Sequence, residues 1–213
     1  DEQKYEDFYS QYGRMIKEGV YQDYENKEEL LDLLRFKSTK EDGTVSFKDY
    51  VDRMQPDQKS IYFLVGENET ALRQSPLLEM YKKKDIEVLI MDDEVDEVIM
   101  PVITKYKDFE LKAVNRSSAA DELKSDDEKN NEKEIKPLIK KIKKALGDRV
   151  KDVKVSNRLS DSPSCLVADE NDPTAQMQEI MRAMGQSGMP DVKPILEINP
   201  EHEIVSKLSD MRK

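Results

Sequence analysis

Three short apolar segments, separated by stretches with helical spacing, constrain how the first half of this chain folds. The segments lie at 61–66 (IYFLVG), 86–92 (IEVLIMD) and 109–115 (FELKAVN). Short, nearly continuous apolar runs are typical of strands that are buried on both faces. The stretches between them, 69–84 and 94–106, have helical patterns. This strand–helix alternation predicts a small α/β domain with a short parallel sheet covered by helices.

The segment that precedes the first strand, 5–54, has helical spacing. Two apolar stripes recur at intervals of three and four residues, and a turn at 41–44 (EDGT) separates them from a third helix. Ser46 is placed to cap that helix, with Asp49 at the position that completes a capping box. The two stripes comprise Phe8, Tyr12, Met15 and Ile16, then Leu30, Leu31, Leu33 and Leu34.

A charged segment at 116–134 interrupts this pattern. It has no aromatic residue and charges of both signs, so it buries too little apolar surface to offset its chain entropy and is predicted to be a linker. The first domain is therefore placed at 1–115, and a second, small α+β domain at 135–213. The second domain is predicted to contain a helix over 135–146 and a strand at 150–156 that pairs with a strand at 165–169. A further strand at 195–198 and a helix from Pro200 follow.

Composition excludes several classes of function. The net charge of −11 disfavours general nucleic-acid binding, because such binding needs a basic surface. The lysines over 136–154 do not change this, since they lie opposite an apolar stripe, where a solvated helix face is expected. With one cysteine, Cys165, and one histidine, His202, an internal disulfide or a zinc site of soft ligands is excluded. No apolar run approaches the ~20 residues of a membrane helix, and residues 1–8 lack signal-peptide character. We expect a cytoplasmic protein with no nucleic-acid or membrane partner.

An acidic run at 92–97 (DDEVDE) follows the second strand and has two interpretations. Ligands of open parallel sheets bind beyond the carboxyl ends of the strands, so Asp92 and Asp93 could hold magnesium or handle phosphate. Alternatively, the carboxylates favour the positive end of the next helix. No glycine-rich phosphate loop accompanies the strands, since Gly66 stands alone.

Methionines are concentrated at 172–190 (DPTAQMQEIMRAMGQSGMP). Asp172 as N-cap and Pro173 as first helical residue predict the start of a helix, and Gly185 predicts its end. The positions i, i+3, i+4 and i+7 of one face are Met177, Ile180, Met181 and Met184. Spacing alone leaves two interpretations open, a core face or an exposed surface, and methionine adapts well to varied partners.

Several linked motifs resemble the heat-shock protein 90 chaperone family, and the segment between Cys165 and Pro190 resembles its bacterial class. They occur in the family's order and cover almost the whole chain. The motifs are LLRFKST (33–39), SFKDYVDRM (46–54), QKSIYFLVGE (58–67), SPLLEMYKKKDIEVLIMDDEVDE (75–97), VSNRLSDSPSCLV (155–167) and LEINPEH (196–202).

The resemblance implies a dimeric, ATP-driven chaperone that binds unfolded or partly folded client proteins. It further implies that 1–115 is the distal part of the middle domain and 135–213 the C-terminal domain, ahead of the dimerisation helices. We therefore expect no ATP hydrolysis and no cofactor in these residues alone. ATP and magnesium are expected in the full-length protein, which forms a homodimer, whereas the fragment dimerises weakly or not at all.

The resemblance also implies where clients bind. In the family, an amphipathic helix of the C-terminal domain and a patch on the middle domain contact clients. The matching residues are Met177, Ile180 and Met181, with Met184 added from helix spacing, and, on the middle domain, Glu97 and Val98. Two alternatives remain: a magnesium- or phosphate-handling domain centred on Asp92 and Asp93, and a passive spacer that binds no unfolded chain.

Overall fold

The computed structural model describes residues 2–123, 132–186 and 191–210, and the chain divides into two compact units. The first unit comprises Asp1–Gln74 and Asp85–Ala113, and the second comprises Ser75–Lys84 and Val114–Lys213. The chain therefore passes between the units three times. Assigning 1–115 to a single domain misses the short segment that the second unit takes from the first half of the chain.

The described residues contain the following regular elements. The helices are α1 (Glu2–Gln22), α2 (Lys27–Leu33), α3 (Phe47–Asp52), α4 (Glu69–Arg73), α5 (Glu79–Lys83), α6 (Glu94–Ile99), α7 (Glu132–Leu146), α8 (Ala175–Ala183) and α9 (Glu203–Asp210). The strands are β1 (Phe36–Ser38), β2 (Thr44–Val45), β3 (Ser60–Val65), β4 (Leu89–Met91), β5 (Lys105–Tyr106), β6 (Phe109–Ala113), β7 (Asp152–Val155), β8 (Ser164–Val167) and β9 (Ile195–Ile198). None of the described helices combines the length and the apolar character needed to cross a bilayer.

The sheet of the first unit is mixed and has the strand order β2-β1-β4-β3-β6-β5. The predicted strands β3, β4 and β6 are parallel, but β1, β2 and β5 join antiparallel. The predicted parallel arrangement of these three strands is therefore confirmed, whereas the three antiparallel strands that make the sheet mixed were not predicted. The cause is that β1 and β2 have only three and two residues, too short to interrupt the helical spacing around them. Gly43, with φ of 91°, makes the turn between them.

Two predictions for the first unit, the capping box of α3 and the buried strand β3, are confirmed. Ser46 caps α3 by accepting a hydrogen bond from the Asp49 amide, and the Asp49 carboxylate accepts one from the Ser46 amide at 2.9 Å. All six residues of β3 are buried, as its apolar run predicts. Helices therefore cover both faces of the sheet at this strand.

The sheet of the second unit has the order β7-β9-β8, with β9 parallel to β7 and antiparallel to β8. The predicted pairing of β7 with β8 was wrong, because the later strand β9 lies between them. The helix α7 packs its apolar stripe on this sheet. The buried residues of this core are Leu138, Val150, Val153, Ile198 and Val205.

The start of the predicted linker packs within the second unit. Arg116 forms a β-bridge with Ala168, and the Ser117 amide donates to the Ala168 carbonyl at 3.0 Å. Ala119 and Ala120 are buried. Small side chains and backbone pairing thus order a segment that its charge pattern assigns to a linker. The rest of the predicted linker, up to residue 131, lies outside the described residues, and α7 begins at Glu132.

Arg158 organises the second unit from a position with 1% exposure. Its guanidinium donates to Glu197 at 2.9 Å and 3.1 Å, to the carbonyl of Arg116 at 2.9 Å and to that of Val114. Its own carbonyl accepts from the Met80 amide at 3.1 Å. One residue therefore connects β9, the segment after β6 and the segment that carries α5.

We expect Arg158→Met to destabilise the second unit by about 3–5 kcal/mol, because Glu197 is then buried without its cation. Arg149→Met is the matched control, since Arg149 is an exposed arginine of the same unit. Urea unfolding followed by circular dichroism measures both variants. A loss below about 1 kcal/mol for Arg158→Met would contradict the role assigned to this ion pair.

Candidate functional site

The methionine-bearing helix α8 begins later than predicted. Thr174 is its N-cap, and the Thr174 hydroxyl accepts from the Met177 amide at 3.0 Å. The predicted N-cap Asp172 instead pairs with Lys151 at 2.7 Å, so its carboxylate serves a different contact. The predicted end is confirmed, because Gly185 has φ of 87° and the next amide bonds back to the Met181 carbonyl at 3.1 Å.

The apolar face of α8 is not a core face. None of its residues is buried, and the cap residue Met184 is 74% exposed. Met177, Ile180 and Met181 are partly buried. The four side chains therefore form an apolar row that is partly accessible to solvent at its first three residues and mostly exposed at Met184. This row is called the α8 surface below.

Polar contacts hold α8 in place. The Gln178 side-chain amide donates to the Val192 carbonyl at 3.3 Å and accepts from the Val192 amide at 3.0 Å. At the other end, Lys151 pairs with Asp169 at 2.6 Å and with Asp172 at 2.7 Å. These contacts use polar, backbone and charged groups, so they anchor the helix without using its apolar side chains.

The two residues assigned on the first unit have different environments. Val98, on α6, is 40% exposed, whereas Glu97 is only 5% exposed. The Glu97 side chain therefore does not belong to an exposed surface, which corrects its assignment as a client-contacting residue. The acidic run in the sequence predicts the start of α6, but it does not indicate which of its carboxylate side chains are buried.

Asp92 and Asp93 already have cationic partners. Lys37 contacts Asp92 at 2.7 Å, and Lys17 contacts Asp93 at 3.5 Å. Asp93 is also the N-cap of α6, where it accepts from the Val95 amide at 3.2 Å. Within the described ranges, no group of three or more acidic, histidine or cysteine side chains is placed to hold a metal ion. Asp93 therefore has the helix-capping role that one interpretation of the acidic run gives it.

A buried ion pair joins α1 to α6. The Lys17 ammonium lies 2.8 Å from Asp96, whose side chain is 1% exposed. Burial raises the pKa of Asp96 to about 6, although Lys17 acts in the opposite direction. A lysine within the apolar spacing of a helix is read as solvent-facing, so sequence reasoning missed this pair.

The apolar stripe predicted on α1 faces outward in part. Met15 is 68% exposed, and Phe8 and Tyr12 are also exposed, with ring centroids 5.0 Å apart. The buried face of α1 instead contains Gly13, Lys17 and Val20. Apolar spacing identified the helix correctly but gave the wrong face for these three side chains.

Cys165 has no catalytic environment. It is buried, and burial raises the pKa of its thiol to about 12. The thiolate, which is the nucleophilic form, is therefore scarcely populated at neutral pH. Cys165 is therefore a small residue of the buried core.

Comparison with known proteins identifies the family. The model of the Hsp90 protein family matches residues 1–213. The chaperone protein HtpG of Treponema denticola is 54% identical over 220 residues, which cover 100% of this chain and 34% of that protein. HtpG of Aliarcobacter butzleri is 53% identical over 214 residues, which cover 98% of this chain and 34% of that protein. HtpG of Treponema pallidum is 48% identical over 218 residues, which cover 99% of this chain and 34% of that protein.

The chain belongs to the Hsp90 family, as the resemblance of its motifs implied. It spans about a third of the length of these curated relatives. The matched sequence includes both units, so the α8 surface and the α1–α6 ion pair lie within the region shared with the family.

We expect ionisation of Asp96 to weaken the first unit as the pH rises from 4 to 7. Its pKa in the folded chain, about 6, lies above its value of about 3.9 when unfolded, so protonation favours folding and this stabilisation is lost through that window. The change corresponds to about 3 kcal/mol. Urea unfolding at successive pH values should show this slope in the wild type and not in Asp96→Asn.

Glu94→Gln is the control for the pH series. Glu94 is an exposed residue on the same helix, and its removal should leave the slope unchanged. If Asp96→Asn and Glu94→Gln give the same pH dependence as the wild type, Asp96 does not ionise in this range.

Proposed function

We propose that this chain is the client-binding part of a molecular chaperone and that the α8 surface contacts unfolded or partly folded polypeptides. The observation that carries the proposal is that α8 has an apolar face at helical spacing and no buried residue. The relatives, which are chaperone proteins by name, support the same class of function. An accessible methionine row suits varied partners, because the unbranched side chain adapts its shape.

Energetics favours weak binding by each surface. Full burial of a Met or Ile side chain contributes about 1.5–3 kcal/mol, so four contribute at most about 6–12 kcal/mol. Because three of them are partly buried already, the gain on binding is smaller. Association costs about 4–15 kcal/mol. Effective retention of a client therefore requires several surfaces that act together.

Val98 is proposed as the second contact, on the first unit. Its exposed side chain on α6 supplies apolar area that Glu97 does not. A client that engages both contacts gains from their linkage, since the second contact then forms at a high effective concentration.

The position of this chain in a larger chaperone is also part of the proposal. We assign the first unit to the distal middle domain and the second to the C-terminal domain, supported by the order of the matching motifs. ATP hydrolysis with magnesium, and homodimer formation, are proposed for the whole protein, as is a cytoplasmic location. In this arrangement the chain connects the ATPase region to the dimer contact.

We expect the triple substitution Met177→Ser/Met181→Ser/Met184→Ser to weaken client binding by at least about tenfold, because it removes three apolar contacts. The measurement is fluorescence anisotropy of a labelled, permanently unfolded protein, reduced and carboxymethylated α-lactalbumin. Circular dichroism checks that the fold is intact, as expected for side chains that are not core.

Met15→Ser is the matched control for Met184→Ser, since Met15 is 68% and Met184 is 74% exposed. Loss of affinity on Met184→Ser but not on Met15→Ser assigns binding to the α8 surface. Equal binding by the triple variant and the wild type would place the client site elsewhere, and unfolding of the triple variant would show that these methionines are core residues.

A further inference from the structure

Four of the described sulfur atoms are shielded from solvent. Met80, Met91 and Met100 are buried, with at most 5% of each residue exposed. Cys165 is also buried, and burial raises the pKa of its thiol to about 12. Oxidants attack thiolates and exposed sulfur atoms. A dissolved oxidant therefore has little access to these four residues.

The α8 surface, in contrast, contains sulfur atoms that solvent reaches. Three of its four residues are methionines. Met184 is 74% exposed, and Met177 and Met181 are partly buried. Elsewhere in the described ranges, Met15 is exposed and Met54 is partly buried, but neither has another methionine within four residues along the chain. Accessible thioethers are therefore clustered on α8.

A thioether reacts directly with peroxides. The O–O bond of hydrogen peroxide breaks, one oxygen atom bonds to sulfur and the other leaves as water, so the sulfur loses two electrons and the peroxide gains them. The product, methionine sulfoxide, is polar and disrupts methionine-rich interfaces. Methionine sulfoxide reductases restore the thioether, and in that step the oxygen leaves as water while two thiols become a disulfide.

Oxidation of α8 changes a surface and not a core. Because none of the residues of α8 is buried, a sulfoxide oxygen on this helix remains in contact with water. The same oxygen on Met91, which is 1% exposed, would be a polar atom inside the apolar core of the first unit. Oxidation of the accessible methionines therefore alters what the surface binds while the cores stay unmodified.

We propose that the α8 surface is a reversible oxidation site, at which peroxide converts Met184, and then Met177 and Met181, to sulfoxides and thereby releases clients. This inference rests on the proposed function and names the regulation of the same surface. A client gains affinity by burying apolar area on α8. A sulfoxide must give up its hydration to make the same contact, so the oxidised row binds clients weakly.

The order of oxidation tests whether α8 is the site. The chain is treated with a limiting amount of hydrogen peroxide, the reaction is stopped with catalase, and peptide mapping by mass spectrometry measures the sulfoxide at each methionine. We expect Met184 to oxidise first within α8, Met177 and Met181 to follow, and Met91 to oxidise last, because access of peroxide follows exposure. Oxidation of Met184 no faster than that of Met91 would overturn the proposal.

Client binding is then compared before and after oxidation. The probe is the labelled, reduced and carboxymethylated α-lactalbumin, added only after catalase has removed the peroxide. We expect oxidation to raise the Kd of the wild type by about tenfold, because three apolar contacts become polar. Treatment with both stereospecific methionine sulfoxide reductases should restore the original Kd. Circular dichroism should be the same before and after oxidation, and loss of the fold would overturn the assignment to a surface.

A variant without sulfur on α8 gives the decisive comparison. In Met177→Leu/Met181→Leu/Met184→Leu the row stays apolar, so the Kd of this variant, compared with its own value before treatment, should not respond to peroxide. Met15→Leu is the matched control, since Met15 is exposed on another helix, and its Kd should respond as the wild type does. Equal responses of the triple leucine variant and the wild type would overturn the proposal, as would a wild type whose Kd does not change.

The serine and leucine variants separate this inference from the proposed function. If the triple serine variant binds the client as tightly as the wild type, α8 is not the client site and the proposed function fails. If the serine variant binds weakly but peroxide leaves the Kd of the wild type unchanged, α8 binds clients and only its regulation by oxidation is wrong.

Discussion

The guanidinium of Arg158 must find acceptors for its hydrogens inside the protein, because burial removes the water that would otherwise supply them. In the second unit these acceptors come from Glu197 and from the carbonyls of Val114 and Arg116. Each acceptor belongs to a different part of the chain from Arg158, so a charge that costs free energy to bury also specifies how those parts meet. The sheet of the second unit, which contains Glu197, therefore depends on this arrangement.

The net charge of the chain is distributed unequally between the units. The first unit has 26 acidic and 14 basic residues, and the second has 20 and 21, which together give the net charge of −11. The acidic net charge of the whole chain therefore describes the first unit and not the second. The α8 surface lies in this nearly neutral unit.

The sequence predicted features that depend on neighbouring residues. The capping box of Ser46 and Asp49 and the buried strand β3 were recognised because a few adjacent side chains determine them. Features that depend on distant residues were not predicted. Nothing near β7 indicates that β9 separates it from β8, and nothing in the segment of α5 indicates that it packs with Arg158. Likewise, the burial of Lys17 requires Asp96, which lies 79 residues away.

The helix α8 shows what an accessible apolar surface costs in stability. Isolated helices shorter than about 12–15 residues are marginal in water, and α8 has nine residues and no buried side chain to compensate. Its order therefore comes from the partial burial of Met177, Ile180 and Met181 together with the polar contacts of the helix. These contacts are the Thr174 cap, the Gly185 terminus and the paired hydrogen bonds between Gln178 and Val192. Each of these polar contacts contributes about 1 kcal/mol, so we expect α8 to open at lower free energy than the buried core of the second unit. Under the proposed function, the exposed parts of these apolar side chains contact clients, and the flexibility of methionine allows one helix to accept sequences of differing shape.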